Sequence, residues 1–390
     1  MIPIAKPLLG EEEAEAARAV VLSGWVSQGA EVAGFEKDFA AFVGAGHACA
    51  VSNCTTALHL ALLAVGVGVG DEVVTVSHSF IAGANTIRQC GAQPVFVDIE
   101  PDGFNIDPEA VAAAITDRTR AILCVHQIGM PCDMAAILAI ARRFGVAVVE
   151  DAACGLGSEI LVGGAWQKIG RPMGDVVCFS FHPRKVLTTG EGGMLTTDNP
   201  AFDRLFRLWR QHGMSVSDRE RHSSATVVFE DYLVPGYNYR MTDIQAAIGR
   251  VQLRRLPSIV ARRRALADRY ARALAGIEGL SAPQEPAWAR SNWQSYCVRL
   301  GDDIDQQRLM QQLLDRGIST RRGIMNMHQE QAQADVPRPH PLSRSEIARD
   351  RSILLPLYAQ MTEAEQDEVL AALAAASETL RPVAAGLAAH

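Results

Sequence analysis

From residue 48 to residue 150 the chain alternates between short runs of mostly apolar, β-branched residues and segments with helical spacing. The spacing predicts strands at 48–52, 72–76, 93–99, 121–126 and 146–150, and helices at 55–65, 81–90, 108–115 and 134–144. Each strand segment is apolar nearly throughout, not at every second position. A strand that hides both faces belongs in a parallel sheet covered by helices, reached through right-handed crossovers. The expected class is therefore α/β.

Two further apolar runs, 176–181 and 193–196, have little helix between them and are expected to complete the sheet. From Thr242 the pattern becomes one long helical stretch, 243–276, expected to break or kink at Pro257. Its arginines (Arg250, Arg254, Arg255, Arg262, Arg263, Arg264, Arg269 and Arg272) read most simply as a solvated helix face. Beyond lie an expected strand at 296–300 and helices at 305–316 and 362–379. A chain of 390 residues exceeds what one core usually supports. The division expected is a large domain over 1–250, including an N-terminal arm, and a smaller C-terminal α/β domain over 251–390.

A formal charge of −7 argues against a surface that tracks nucleic-acid phosphates. The N-terminus lacks a charged region followed by an apolar core and a small-residue cleavage site, and no stretch is apolar for membrane-spanning length, so a cytoplasmic protein without membrane partners is expected. The eight cysteines form no CxxC pair, which signals neither a metal site nor a disulfide framework.

"GVGVGD" at 66–71 follows a helix and precedes a strand, the reverse of a dinucleotide fingerprint, and reads as a turn. "SNCTTALHLAL" at 52–62 has the useful order: strand, polar turn, helix. Its free N–H groups, with the hydroxyls of Thr55 and Thr56, can hold a phosphate; an ordinary helix cap by Asn53 or Thr55 fits as well. "VAVVEDAACGLGS" at 146–158 ends a strand on an acidic pair, so that Asp151 faces the crevice where open parallel sheets bind ligands. A carboxylate there needs a cation, either a protonated ring nitrogen or a salt-bridge partner. In "CFSFHPRKVLTTGEGGML" at 178–195, Lys185 follows a strand beside Arg184. Desolvation and that like charge are expected to lower its pKa and make its amine a nucleophile toward aldehydes. A phosphate cradle, a carboxylate and an activated amine match the phosphate, ring nitrogen and aldehyde of pyridoxal 5'-phosphate.

These segments, with "SGWVSQG" (23–29), "FEKDFAAFVG" (35–44), "GYNYRMTDIQAAIG" (236–249) and "LLPLY" (354–358), resemble the DegT/StrS sugar aminotransferases over nearly the whole chain. The resemblance implies the aspartate aminotransferase-like fold (fold type I), with a mostly parallel seven-stranded sheet. It implies that Lys185 carries the cofactor as a Schiff base and moves protons, and that Asp151 partners the ring nitrogen. Cys54, Thr55 and Ser180 would line the phosphate, Phe80 would stack on the ring, and Asn238 would reach the phosphate from the second subunit of a homodimer. L-glutamate is the implied donor and a nucleotide-linked keto sugar the implied acceptor.

Two positions depart from the family pattern. Asn53-Cys54-Thr55 stands where Ser-Gly-Thr is usual, and Cys154 replaces a His or Gln on the ring face opposite the aromatic. For the acceptor the candidates are Trp25, His182, Arg240, Arg321 and His328, with Arg322 beside them; surface arginines and a satisfied histidine are equally good readings. "SNWQSY" at 291–296 departs from the histidine-bearing segment of several sugar-nucleotide members, which admits a substrate outside the usual set. Same-fold alternatives are a keto cyclitol aminotransferase, a dehydratase, whose family versions replace the lysine with histidine, and a non-catalytic regulator.

Overall fold

The structure, a computed structural model, describes residues 1–216, 221 and 224–380. Two helices, α1 (Glu11–Ser23) and α2 (Ala30–Val43), precede the alternating region. That region comprises β1 (His47–Val51), α3 (Cys54–Ala64), β2 (Glu72–Val76), α4 (Ala82–Gln89), β3 (Gln93–Val97), α5 (Pro108–Ala114), β4 (Thr119–Val125), α6 (Met134–Phe144) and β5 (Ala147–Asp151). There follow β6 (Glu159–Val162), β7 (Ala165–Lys168), β8 (Val176–Ser180), β9 (Gly193–Thr197), α7 (Pro200–Trp209) and α8 (Asp243–Leu274). The C-terminal part holds β10 (Leu280–Ser281), β11 (Ala289–Arg290), β12 (Tyr296–Leu300), α9 (Gln306–Asp315), β13 (Arg321–Arg322), α10 (Ser343–Asp350), β14 (Ser352–Leu355) and α11 (Glu363–Leu380).

The main sheet has seven strands in the order β1-β9-β8-β5-β4-β2-β3. Strands β8, β5, β4, β2 and β3 pair in parallel, whereas β9 is antiparallel to both its neighbours. The reversal has a local cause: a parallel return needs a crossover, usually a helix, and the segment between β8 and β9 contains none. The segment at 66–71 is the turn expected, with Gly66 and Gly70 in the left-handed region.

Helices on both faces complete the first core, in which the rings of Phe35, Phe39, Phe179 and Phe181 pack edge to face or tilted. A four-stranded sheet, β10-β12-β14-β13, organises a second core around Tyr270, Tyr296, Leu313, Ile353 and Leu373. The amino terminus also joins it: Ile2 is buried there, its N–H donating to Gly317 and its carbonyl accepting from Ser319, and the Ile4 carbonyl accepts from Leu357. Among the described residues no helix is long and apolar enough to cross a membrane.

The expected break at Pro257 does not occur; α8 runs through it. A helical proline costs about 3 kcal/mol, but Leu253, Leu256, Ile259 and Val260 around it are all buried, and their packing holds the helix continuous. The solvated-arginine reading also fails in part. Arg250 pairs with Glu31 and Asp38, Arg255 with Glu12 and Glu13, Arg264 with Glu159, and Arg263 is buried against backbone carbonyls.

Candidate active site

Strands β5 and β8 lie side by side in parallel register, Asp151 opposite Cys178, so their carboxyl ends open onto one crevice. Asp151 closes β5 and Ser180 closes β8; the chain then turns through His182 and Arg184 to Lys185. The Lys185 N–H donates to the His182 carbonyl at 2.8 Å, which makes the turn compact. Helix α3 aims its first turn at the same crevice, with Cys54 Sγ 4.0 Å from Asp151 Oδ1. This approach requires Gly193 at the start of β9, because a Cβ there would lie 2.4 Å from the Asn53 carbonyl group.

Asp151 is 8% exposed. Its Oδ1 accepts from the Ala153 N–H at 2.9 Å and from Cys54, while Oδ2 accepts nothing among the described residues. Burial pushes the carboxyl above its ordinary pKa, against the pull of the Ala153 N–H, Lys185 and His126. A buried carboxylate in that condition is stabilised by a cation set in front of it.

Lys185 Nζ donates to Cys154 Sγ at 3.1 Å. Burial pulls its pKa down, but Cys154, Asp151 and Cys54 outweigh that effect and the net displacement is upward. The lowering expected from Arg184 is thus overturned, because the ammonium faces sulfur and carboxylate. Burial and Asp151 together hold Cys54 as a neutral thiol, well above its usual pKa.

At α3, Asn53 is the cap: its side chain accepts from the Thr56 N–H, and the Thr56 hydroxyl donates back to the Asn53 carbonyl. Thr56 is therefore consumed by the cap and does not face a ligand. The Thr55 hydroxyl and the N–H groups of Cys54 and Thr55 have no partner among the described residues, and Ser180 Oγ only accepts, from His182 N–H at 3.4 Å. Phe80, beyond the carboxyl end of β2, is 64% exposed, unusual for an aromatic ring within a folded domain.

The outer candidates scatter. His182 lies on the turn to Lys185, its Nδ1 accepting from the Arg184 N–H and its pKa lowered by burial. Arg321 stands exposed on β13, and its charge, after burial, lowers the pKa of Arg184. Arg322 is its exposed neighbour. Asn238 and Arg240 bridge to Gln211 and Val51, alongside the end of β1. Trp25 lines a cavity of about 700 Å³ between α1, α2 and α8, together with Asp243, Arg250 and Arg254. His328 is 1% exposed, bonded through Nδ1 to Ser77 and through Nε2 to Glu346, so neither nitrogen is offered to a substrate; it braces the loop that carries Phe80.

Sequence reading missed two features. His126 Nε2 donates to Glu150 Oε2 at 3.1 Å, both side chains fully buried; the parallel pairing of 121–126 with 146–150 could have suggested it. The other is the role of the 291–296 segment, singled out only for its departure from the family pattern: Asn292 donates to the Cys154 and Leu156 carbonyls and Gln294 to the Arg184 carbonyl. Among the described residues no group of three or more His, Cys, Asp or Glu side chains could hold a metal ion.

Comparison decides the family. The DegT/DnrJ/EryC1/StrS aminotransferase family matches residues 7–374. The chain belongs to this family. It is an aminotransferase, and its cofactor is pyridoxal phosphate. It is 39% identical over 384 residues to the spore coat polysaccharide biosynthesis protein SpsC of Bacillus subtilis, covering 95% of this chain and 96% of that one. The aminotransferase TlmJ of Streptoalloteichus hindustanus superposes with a TM-score of 0.89 at 35% identity, over 97% of this chain and all of the other. Spr1654 of Streptococcus pneumoniae, solved in PMP and PLP forms, is 27% identical, with a TM-score of 0.90 for the PMP form over 97% of this chain and 100% of that chain. The residues at hand fit the cofactor: free donors at α3 for a phosphate, an unbonded oxygen on the buried side chain of Asp151 for a ring nitrogen, and a primary amine close enough to feel that carboxylate.

Proposed function

We propose that this aminotransferase moves the amino group of L-glutamate to the ketone of a nucleotide-linked 4-keto or 3-keto deoxysugar, in the cytoplasm, for polysaccharide, glycan or natural-product biosynthesis. The observation that carries the reading is the convergence of the Lys185 amine and the buried Asp151 carboxylate at the ends of adjacent parallel strands. The likeness to SpsC, named for spore coat polysaccharide biosynthesis, supports a sugar acceptor.

When bound, pyridoxal phosphate supplies an electron sink for the pair left on carbon as a proton departs. Asp151 Oδ2 holds the proton on the ring nitrogen, and burial makes that charge pairing strong. Cys54 and Thr55 N–H groups, the Thr55 hydroxyl and Ser180 Oγ hold the phosphate. Phe80 and Cys154 would hold the cofactor ring. Lys185 Nζ would hold the cofactor through its aldehyde carbon and, when freed, would act as the base and acid that moves the proton at the donor carbon and at the acceptor carbon. Asn238 of a second copy completes the phosphate site in a homodimer, and Trp25, His182, Arg240 and Arg321 face the acceptor. We place the division between the large and small domains at residues 250 and 251, within α8.

The test is incubation with glutamate and a panel of keto sugar nucleotides. Formation of 2-oxoglutarate and of an aminated sugar by mass spectrometry is the expected result. A yellow protein that glutamate leaves unbleached overturns the reading.

A further inference from the structure

The peptide unit that precedes Lys185 is gripped at both of its polar ends. Its N–H, on Lys185, donates to the His182 carbonyl at 2.8 Å, and its carbonyl, on Arg184, accepts from Gln294 Nε2. With that plane fixed, the position of the Lys185 Cα and the N–Cα axis from which its side chain departs are fixed as well. His182 is a local partner within the turn, whereas Gln294 arrives from 110 residues away.

Gln294 is itself immobilised. It is 7% exposed, its N–H donates to Asn292 Oδ1 at 2.7 Å, and its carbonyl accepts from Arg263 Nη2 at 2.7 Å. The preceding Trp293 sits at φ 52°, a conformation that costs a bulky residue about 1–3 kcal/mol. Arg263 Nε, donating to the Trp293 carbonyl at 2.9 Å, and Ser291 Oγ, accepting from the Trp293 N–H at 2.9 Å, hold it there. The amide orientation is settled by chemistry: a carbonyl oxygen opposite it accepts from nitrogen and repels oxygen. Gln294 Oε1 has no partner among the described residues, so the bond to Arg184 is the amide's whole engagement. Asn292 meanwhile ties down the Cys154 carbonyl at 2.7 Å. One short strained segment therefore holds both sides of the Lys185–Cys154 contact.

We infer that Gln294 is a positioning residue for the reaction: it sets the axis from which the Lys185 side chain departs and thereby the alignment of Nζ with the carbons between which it moves protons. The inference rests on the assignment of Lys185 as the cofactor-bearing lysine. A misplacement of order 1 Å at a proton-transferring atom costs about 10²-fold in rate.

The test compares holoenzyme of the wild type with Gln294→Met, which keeps length and removes the donor, and Gln294→His, which restores an N–H at similar reach. For Gln294→Met the expected result is a fall in kcat of about 10²-fold with a glutamate KM changed less than about threefold. The pH at which the lysine-bound chromophore changes colour should shift by more than about 0.5 unit, with Tm within about 3 °C of wild type. Gln294→His should return kcat to within about fivefold of wild type. A Met variant with wild-type kcat and colour transition overturns the inference. So does a His variant as impaired as the Met variant; if Gln294→Met does not fold, the His variant decides alone, near-wild-type values supporting the inference and a full loss overturning it. Borohydride trapping with peptide mapping of each protein separates the two assignments: a label away from Lys185 removes the lysine's role whatever Gln294 does.

Discussion

Glu150 and Asp151, neighbours at the end of β5, are handled in opposite ways by the fold. Glu150 Oε2 is bonded to His126, and its Oε1 accepts from the N–H groups of Met173 and Gly174 at 3.0 and 2.8 Å. Asp151, on the other face as the strand pleat requires, is left with one carboxylate oxygen unbonded. The first carboxylate is structure, and the second is reserved for chemistry.

That contrast predicts a stability effect. Because burial raises the folded pKa of Asp151, the folded state gains stability as pH falls through that value and loses it as pH rises, so the ionised carboxylate destabilises the cofactor-free protein near neutrality. Asp151→Asn is expected to raise the Tm of cofactor-free protein at pH 7 while lowering kcat by about 10²-fold or more. Calorimetry beside steady-state assays checks both; a lowered Tm contradicts it.

Replacing Lys185 by alanine removes both attachment and proton transfer. Turnover should fall by about 10⁴-fold, and borohydride should no longer fix the chromophore to the protein. Partial rescue of turnover by added small primary amines is expected and would be read by product mass spectrometry.

Acid should act in the opposite sense on Glu36. Burial raises its pKa, but Arg210 and Arg207 more than reverse that, and the net displacement is downward. Its stabilising contribution is full above the ordinary carboxylate value and lost as pH falls through the lowered folded one. Glu36→Gln leaves Arg210, itself 4% exposed, without its charge partner, and should cost about 3–5 kcal/mol in urea unfolding at pH 7.

Gly129 offers a steric test of the segment at 291–296. It has φ 102°, and a Cβ there would lie 2.0 Å from Asn292 Oδ1. Gly129→Ala should therefore displace Asn292, loosen the Cys154 loop and destabilise the fold by about 2–4 kcal/mol. Thermal unfolding measures the loss, and a double variant with Asn292→Gly that loses less than the two single variants summed would tie part of it to this clash.

The strands and their carboxyl ends were legible because a run buried on both faces has a composition of its own, and β5 leads directly to Asp151. The surroundings of Lys185 were not. Cys154 lies 31 residues away and Gln294 110 residues away from their partners on this turn, so the pKa argument built on adjacent Arg184 chose the wrong neighbour. Pro257 misled for a related reason: local propensity speaks for a break, and only the packing of α8 against the core says otherwise. Likewise His328 carried the residue type of a ligand contact, while its two partners, Ser77 just after β2 and Glu346 on α10, come from distant parts of the chain.

The seating of Ile2 and Ile4 against Gly317, Ser319 and Leu357 joins stretches that lie far apart along the polypeptide. During synthesis the earlier stretch must wait for the later one to emerge before it finds its place. A substitution that unseats Ile2 would therefore be felt at Gly317 and Ser319, far along the chain from the change itself.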